Sequence, residues 1–260
     1  AMLPAAWKLV GIIGAVAGGI LIETLGMGVA FLVAASSYAF GILTVSLMRY
    51  EPATRPAATE SIVANLVEGF KFFARTPALL WCVGMTMVVE FFGYGALGLL
   101  PIFADRGVLD VGASGLGLMN GAVGFGALIG SLTLASWKEL RSKGKLFLVC
   151  FLAYGFFIGG FSRSEDFVLS LAFLTAWGMI QGLYGTTGVL LLQQHVPNEM
   201  RGRAMGAWTI CVGMDPFGAL FLGFLALHMG VQNAVGLAGV FILAVAIFVT
   251  IAVPRVRTLQ

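Results

Sequence analysis

The sequence predicts an all-α, polytopic membrane protein with about eight transmembrane helices. Eight stretches are each long and apolar enough to cross a bilayer, whose hydrocarbon core of about 30 Å requires about 20 apolar residues in a helix. The 260 residues are 59% hydrophobic and only 10% charged, whereas soluble domains carry about 25% charged residues. The apolar runs are continuous rather than alternating, which favours helices over the strands of a barrel.

The basic residues alternate along the chain in the way that sets membrane orientation. The predicted spans cover residues 7–22, 28–48, 78–102, 113–136, 146–161, 167–192, 206–227 and 231–253. Twelve of the fifteen Lys and Arg residues lie in every second loop between these spans or in the tail. Because cytoplasmic loops are enriched in Lys and Arg, we expect both termini in the cytoplasm and the protein in the plasma or inner membrane.

The longest loop, residues 49–77, has internal structure of its own. Pro52 and Pro56 indicate an extended linker, and apolar residues then recur at helical spacing: Ile62, Val63, Leu66, Val67, Phe70 and Phe73. This pattern predicts an amphipathic helix on the cytoplasmic membrane surface. The alternative, an extension of the next span, is opposed by Pro77.

Several classes of protein find no support. The chain shows no nucleophile paired with a base and no phosphate-binding loop, so we expect no enzyme. Its three cysteines, Cys82, Cys150 and Cys211, lie in apolar runs without metal-ligand spacing, so we expect neither a metal nor another cofactor. No basic cluster resembles a nucleic-acid footprint, and nucleic acid is not an expected partner.

One glycine pattern occurs twice. Span one contains Gly14, Ala15, Gly19 and Gly26, and span seven contains Gly218, Ala219, Gly223 and Gly230 at a constant offset. Repeated halves are typical of secondary transporters, whose substrate binds at the repeat interface. Chance similarity is the alternative, because glycine is abundant, with 36 residues.

Several segments resemble the major facilitator superfamily, and more specifically its macrolide-efflux and siderophore-exporter branch. Residues 196–203, VPNEMRGR, resemble the loop between the family's helices ten and eleven, and residues 11–19, GIIGAVAGG, resemble the glycine motif of its helix five. Residues 68–71 with Pro77 resemble the approach to helix seven. Two departures are Ala15, where the exporter motif usually has proline, and the loop 138–145, which lacks the family's acidic latch pattern.

The resemblance implies a domain organisation. The family has twelve helices, and this chain matches helices five to twelve, so its bundle would lack the first four. Residues 1–50 would hold the last two helices of the N-terminal bundle, 51–77 the cytoplasmic linker, and 78–260 a complete C-terminal bundle of six. The partners implied are the lipid bilayer, a small-molecule substrate, protons and the missing helices of the same transporter.

The resemblance also implies motif residues that act in gating. These are Gly14, Gly18 and Gly19 in the first span, and Arg201, Gly202 and Arg203 in the loop before span seven. For the arginines, the alternative is a role in membrane topology alone.

Two acids lie deep in the predicted spans, where ionisable side chains are costly and mark functional sites by default. Glu90 forms a polar stripe with Thr86 and Tyr94 at i, i+4 and i+8. Asp215 precedes Pro216, which frees the carbonyl of Val212. Both acids are candidates for proton coupling, since burial favours the neutral form of a carboxyl group. The alternative is a hydrogen bond to a neighbouring helix.

A second face offers side chains for an apolar substrate. Trp177, Gln181 and Tyr184 share one side of span six and could line the same cavity as Thr86 and Tyr94; helix packing is the alternative. The sequence thus predicts a proton-coupled exporter of an amphipathic small molecule, a drug or a siderophore, that works by alternating access. A truncated, non-transporting scaffold or regulator is the alternative, and a channel is less well supported because no charged ring is visible.

Overall fold

The computed structural model describes residues 2–48, 62–105, 108–137, 143–253 and 256. Within these ranges the regular structure is entirely helical: α1 Met2–Leu47, α2 Ile62–Arg75, α3 Pro77–Val88, α4 Gly95–Leu97, α5 Leu100–Ala104, α6 Gly112–Ser136, α7 Lys143–Ser162, α8 Phe167–His195, α9 Arg201–Val212, α10 Asp215–Met229 and α11 Val231–Ala252, with a π-helical segment, Val89–Tyr94, and a 3₁₀ turn, Asn198–Met200. The fold class is therefore the predicted one. The predicted linker prolines and seven of the basic residues lie outside the described residues: Pro52, Pro56, Arg49, Arg55, Arg106, Lys138, Arg141, Arg255 and Arg257.

Seven helical stretches of the described chain are long and apolar enough to cross a membrane. The difference from the eight predicted arises in α1, which joins the first two predicted spans in one element. Gly26 inside it has a non-helical backbone, with φ 83° and ψ 164°. Only glycine adopts a positive φ of this kind at no steric cost, so α1 consists of two helices that meet at a kink.

The amphipathic helix of the long loop is present as α2. It ends at Arg75, and Thr76 separates it from α3, which has Pro77 in its first turn. Proline fits there because the first amide of a helix has no intrahelical partner. Within the predicted apolar set, Phe73 is fully buried, whereas Val63 is 67% exposed, so only part of this face packs against the other helices.

Span seven is broken in its middle. Helix α9 ends at Val212, and α10 begins at Asp215 after the two-residue turn formed by Gly213 and Met214. Pro216 cannot donate a hydrogen bond to the carbonyl of Val212, which favours the interruption of the helix at this point. Backbone irregularity at membrane depth is tolerated where protein or a cavity covers it.

Glycines set how closely the spans pack. Helix α6 contacts α1 on one side and α8 on the other. A Cβ atom at Gly117 would lie 2.7 Å from the Ala15 carbonyl oxygen, and one at Gly126 or Gly130 would overlap the backbone of α8. In a bilayer, helices associate through such close packing rather than through hydrophobicity. The glycines of α6 therefore allow its close approach to both α1 and α8.

The two ends of the helix array differ in charge. We call one end the basic end, because it carries Lys71, Arg75, Lys143, Lys145, Arg201 and Arg203. It comprises α2, the starts of α3, α7 and α9, and the ends of α6 and α8. The opposite end comprises the start of α6, the turn between α7 and α8, and Gly230 between α10 and α11. Glu165 and Asp166 lie at this opposite end.

Candidate functional site

Glu90 lies in the π-helical segment that follows α3. A π-helix is rare and usually appears as one widened turn within an α-helix, frequently at a functional site. The segment starts 12 residues after the beginning of α3 and is followed by α4 and α5 before the opposite end. Glu90 is therefore held near the middle of its span, as the sequence predicts.

The carboxyl group of Glu90 is enclosed and has one hydroxyl donor. Glu90 is only 5% exposed, and the Tyr184 hydroxyl on α8 donates a hydrogen bond of 3.1 Å to its Oε1. Tyr184 itself is buried. A buried carboxyl group needs such a partner, because an unpaired polar group in the interior costs about 1–3 kcal/mol. The structure thus brings together Glu90 and Tyr184, which the sequence assigned to two separate groups.

The rest of the predicted polar stripe divides in two. Thr86 is fully buried, and its hydroxyl donates to the Cys82 carbonyl oxygen at 2.9 Å on its own helix. Tyr94 is half-buried and interacts electrostatically with Glu90. The threonine is therefore satisfied locally, and the tyrosine is the member of the stripe that remains partly open.

Asp215 begins α10 at the break in span seven and is half-buried. Its carboxylate interacts electrostatically with both Glu90 and Tyr94. Contact between α10 and the π-helical segment accounts for this proximity: Gly218 packs against the Phe91 carbonyl group so closely that a Cβ atom would overlap it. The two candidate acids thus belong to one electrostatic cluster, although 125 positions of sequence separate them.

Trp177 and Gln181, predicted to line a cavity, are enclosed within the helix array. Trp177 is fully buried, with its ring 5.9 Å from that of Tyr154 and 6.2 Å from that of Phe161. Gln181, one turn further along α8, is 9% exposed. Both side chains interact with Tyr154 of α7, but neither the Trp177 Nε1 nor the Gln181 Nε2 atom has a partner in hydrogen-bond geometry.

Tyr154 on α7 is the residue of this cluster that sequence reasoning missed. It is fully buried, and its hydroxyl also lacks a hydrogen-bond partner. Its ring packs on the π-helical segment at Gly93, where any side chain would collide with it. The available signal was its position: a polar-tipped ring in the middle of an apolar span.

The glycine motif of the first span separates into open and packed positions. Gly14 and Gly18 have open space where a side chain would lie, whereas a Cβ atom at Gly19 would be 2.6 Å from the Ala113 carbonyl oxygen of α6. We call this contact between α1 and α6 the seam, and a crevice of about 360 Å³ follows it. Of the three glycines, Gly19 is the one that the approach of α6 requires.

An acid closes the same seam at the opposite end. Helix α6 has no side-chain cap of its own at Val111, and the Glu23 Oε2 atom accepts a hydrogen bond of 3.0 Å from the backbone amide of Ser114 in its first turn. A carboxylate is favoured there by the free amides and the dipole of the helix. Glu23 therefore ties α1 to the start of α6.

The arginine motif lies at the basic end. Arg203 forms an ion pair with Glu68 of α2, with 2.6 Å between Nη1 and Oε2. Arg201 donates to the Gln193 carbonyl oxygen at 3.3 Å, and Gly202 has open space around it. A cavity of about 530 Å³ lies between α2 and Met200. The motif thus links the amphipathic helix to the start of α9.

The cysteines Cys82, Cys150 and Cys211 are buried and not joined in disulfides. In the described part of the chain, no group of three or more His, Cys, Asp or Glu residues could hold a metal ion.

Comparison with known proteins establishes the family. Residues 5–260 match the family model of the transmembrane secretion effectors. The chain belongs to this family. Its members are major facilitator transporters, so the resemblance drawn from residues 196–203 and 11–19 is confirmed. The chain is accordingly a multi-pass protein of the lipid bilayer.

Named relatives are transporters. The multidrug efflux pump Tap of Mycolicibacterium fortuitum is 27% identical over 263 residues, which cover 96% of this chain and 61% of Tap. The enterobactin exporter EntS of Citrobacter koseri is 25% identical over 252 residues, covering 96% of this chain and 59% of EntS. An uncharacterized MFS-type transporter of Methanocaldococcus jannaschii is 29% identical over 142 residues, 51% of this chain and 36% of that protein. The chain spans about three fifths of the length of Tap and EntS.

Proposed function

We propose that this chain forms the larger part of a secondary transporter that exports an amphipathic small molecule, a drug or a siderophore, in exchange for protons. The observation that carries the proposal is the enclosed Glu90 carboxyl group with the Tyr184 hydroxyl as its donor. Membership of the transmembrane secretion effector family and the similarity to a multidrug efflux pump and an enterobactin exporter support the direction and the substrate class.

Glu90 is suited to carry a proton because its surroundings stabilise both the protonated and the ionised carboxyl group. The apolar surroundings favour the neutral acid, and the Tyr184 hydroxyl donates to the ionised form. Asp215 adds a second negative charge nearby, and two neighbouring carboxylates in a low dielectric resist simultaneous ionisation. A shift of α10 against the π-helical segment would change this balance. That coupling of proton to movement is what alternating access requires.

The substrate passage would run beside the residues of the cluster that keep partial exposure, Tyr94 and Asp215. Gly19 at the seam of α1 and α6, and Arg203 with Glu68 at the basic end, would act in gating. Both contacts join segments of different predicted bundles or of the linker. Opening and closing the passage would have to break and remake such contacts.

Topology and organisation complete the proposal. The basic end would face the cytoplasm, with both termini on that side, in the plasma or inner membrane. Residues 1–50 would belong to the N-terminal bundle, 51–77 to the linker and 78–260 to the C-terminal bundle. Because the chain spans about three fifths of its relatives, four preceding helices would complete the transporter.

The test is the substitution Glu90→Gln in the complete transporter, reconstituted in liposomes with a proton gradient and ethidium as the probe. Glutamine keeps the size of the side chain and a hydrogen-bond acceptor but cannot exchange a proton. We expect proton-driven accumulation to fall to the level of empty liposomes, while counterflow, which needs no net proton movement, persists. Glu165→Gln, the same change at an exposed position, serves as the control. Undiminished proton-driven accumulation in Glu90→Gln would remove Glu90 from the mechanism.

A further inference from the structure

Three buried polar atoms near Glu90 have no hydrogen-bond partner: the Tyr154 hydroxyl, the Trp177 Nε1 and the Gln181 Nε2. Tyr154 and Trp177 are fully buried, and Gln181 is 9% exposed. Buried polar atoms in folded proteins are almost always bonded to protein or to ordered water. The Tyr154 hydroxyl interacts with both Trp177 and Gln181, but none of these contacts has hydrogen-bond geometry, so three neighbouring polar atoms remain without a well-formed bond.

The three side chains form one group. The rings of Tyr154 and Trp177 are 5.9 Å apart in an edge-to-face arrangement, and Trp177 and Gln181 are one helical turn apart on α8. The Tyr154 hydroxyl lies against the backbone of Gly93, since a Cβ atom there would be 2.8 Å from that oxygen. The group adjoins the Glu90 pair, because the rings of Tyr154 and Tyr184 are 6.1 Å apart.

Donors outnumber acceptors in this group. The indole of Trp177 and the amide nitrogen of Gln181 can only donate, whereas the Tyr154 hydroxyl can donate or accept. A water molecule supplies two acceptor sites and two donors, and buried water typically makes about three bonds to otherwise unsatisfied groups. We propose that Tyr154, Trp177 and Gln181 hold ordered water that conducts protons between Glu90 and the opposite end of the helix array.

The direction follows from where the unsatisfied atoms lie. Helix α8 starts at the opposite end, so Trp177 and Gln181 lie on that side of Tyr184. The buried hydroxyls on the other side, those of Thr86 and Thr187, donate to carbonyl oxygens of their own helices at 2.9 and 2.7 Å. Water is thus called for on one side of Glu90, the side that the proposed topology places outside the cell.

Two buried serines, Ser164 and Ser170, lie further toward the opposite end. The Ser170 hydroxyl donates to Ser164 at 2.9 Å, and both residues are buried. Ser170 lies seven positions before Trp177 on α8, which brings it to the same face two turns nearer the opposite end. Water held at Trp177 would therefore lie between Glu90 and this serine pair.

The transfer itself needs no co-reactant. A proton from the outer solution adds to the water, which forms one new O–H bond and releases a different proton to a Glu90 carboxylate oxygen, so the water is regenerated. Four groups of the described chain face or influence Glu90: Tyr184 from α8, Tyr154 from α7, Asp215 from α10 and Tyr94 from its own segment. Asp215 is the only other acid among these four. This inference rests on the proposed function of Glu90.

Bound water can be tested without transport. X-ray hydroxyl-radical footprinting labels side chains next to ordered water, even where bulk solvent does not reach. We expect Trp177 and Tyr154 to be modified several-fold faster than the equally buried Phe151, after correction for intrinsic reactivity. Gln181→Leu should lower the Trp177 rate, and Thr187→Val, a change at a fully buried position on the other side of Glu90, should not. Labelling of Trp177 no faster than that of Phe151 would refute the water site.

Conduction is tested by Tyr154→Phe, which removes a single oxygen atom. In the reconstituted transporter we expect about a tenfold slower proton-driven uptake of ethidium, with counterflow unchanged. Unaltered proton-driven uptake in Tyr154→Phe would refute the conduction path. If Glu90→Gln remained proton-coupled while the footprint of Trp177 persisted, the proposed function would fail and the water site would stand. The two failures are therefore distinguishable.

Discussion

The seam between α1 and α6 offers a quantitative test in two neighbouring glycines. An alanine Cβ at Gly19 would lie 2.6 Å from the Ala113 carbonyl oxygen and 3.0 Å from the Gly117 Cα, both backbone atoms. At Gly18 the same atom would meet nothing within 4 Å. The two positions lie in the same helix and the same glycine-rich sequence. The difference between them is that α6 approaches Gly19 closely and does not approach Gly18.

The expected magnitudes follow from two opposing effects. Replacing glycine by alanine within a helix stabilises by about 0.5–1 kcal/mol, because glycine loses more backbone freedom on folding. Overpacking of a close contact costs about 1–3 kcal/mol. We expect Gly18→Ala to be neutral or mildly stabilising and Gly19→Ala to be destabilising. Since the backbone effect is shared, the difference between the two variants isolates the packing cost of about 1–3 kcal/mol.

The assay is equilibrium unfolding of the chain in dodecyl maltoside by added sodium dodecyl sulfate, followed by tryptophan fluorescence. The difference of about 1–3 kcal/mol corresponds to a shift of about 5- to 150-fold in the folding equilibrium. Equal stability of Gly18→Ala and Gly19→Ala would show that α1 and α6 do not meet at Gly19. The structural basis for assigning that glycine to the seam would then be wrong.

Two further predictions concern single polar contacts. Asp166→Ala removes the N-cap of α8, where Oδ1 accepts a hydrogen bond from the Leu169 amide at 2.7 Å. We expect the protein to lose about 1 kcal/mol of stability and the Leu169 amide to exchange its hydrogen faster, whereas Asp166→Asn should retain most of the cap. Equal exchange at Leu169 in the wild type and both variants would contradict the capping role. Glu68→Gln and Arg203→Gln each break the ion pair at the basic end, where both side chains are partly exposed. A double-mutant cycle in unfolding should therefore give a coupling free energy of less than about 1 kcal/mol that declines with added salt. A larger coupling that salt does not affect would be inconsistent with a screened surface pair.

The spans could be predicted from sequence because lipid imposes a simple requirement of length and apolarity. The helix stretches of the structure contain the centres of all the predicted spans. The amphipathic helix could also be predicted from sequence, because its apolar residues recur at helical spacing and Pro77 follows its end. The division between the first two spans also lies where it was predicted, because Gly26, between residues 22 and 28, has the non-helical backbone that separates the two helices of α1.

The site could be predicted only in part. Glu90 and Asp215 stand out as acids within apolar runs, and the break before Asp215 follows from Pro216. The π-helical segment has no sequence signature, because it is one widened turn built from ordinary helix-forming residues. Tyr154 was missed because its importance depends on Gly93 of another helix, which provides the space for its hydroxyl. Contacts between helices far apart in sequence leave no periodic pattern within either one.

The repeated glycine pattern is better explained at its last position than at its others. Gly26 and Gly230 share a φ of 83°, with ψ of 164° and 152°, and this conformation requires glycine whatever surrounds it. The other aligned pairs differ: Gly19 is closely packed and Gly223 is open, whereas Gly218 is closely packed and Gly14 is open. A packing glycine depends on the helix opposite, but a positive φ is a property of the chain itself. The shared backbone of Gly26 and Gly230 therefore favours a true internal repeat over the chance recurrence of an abundant residue.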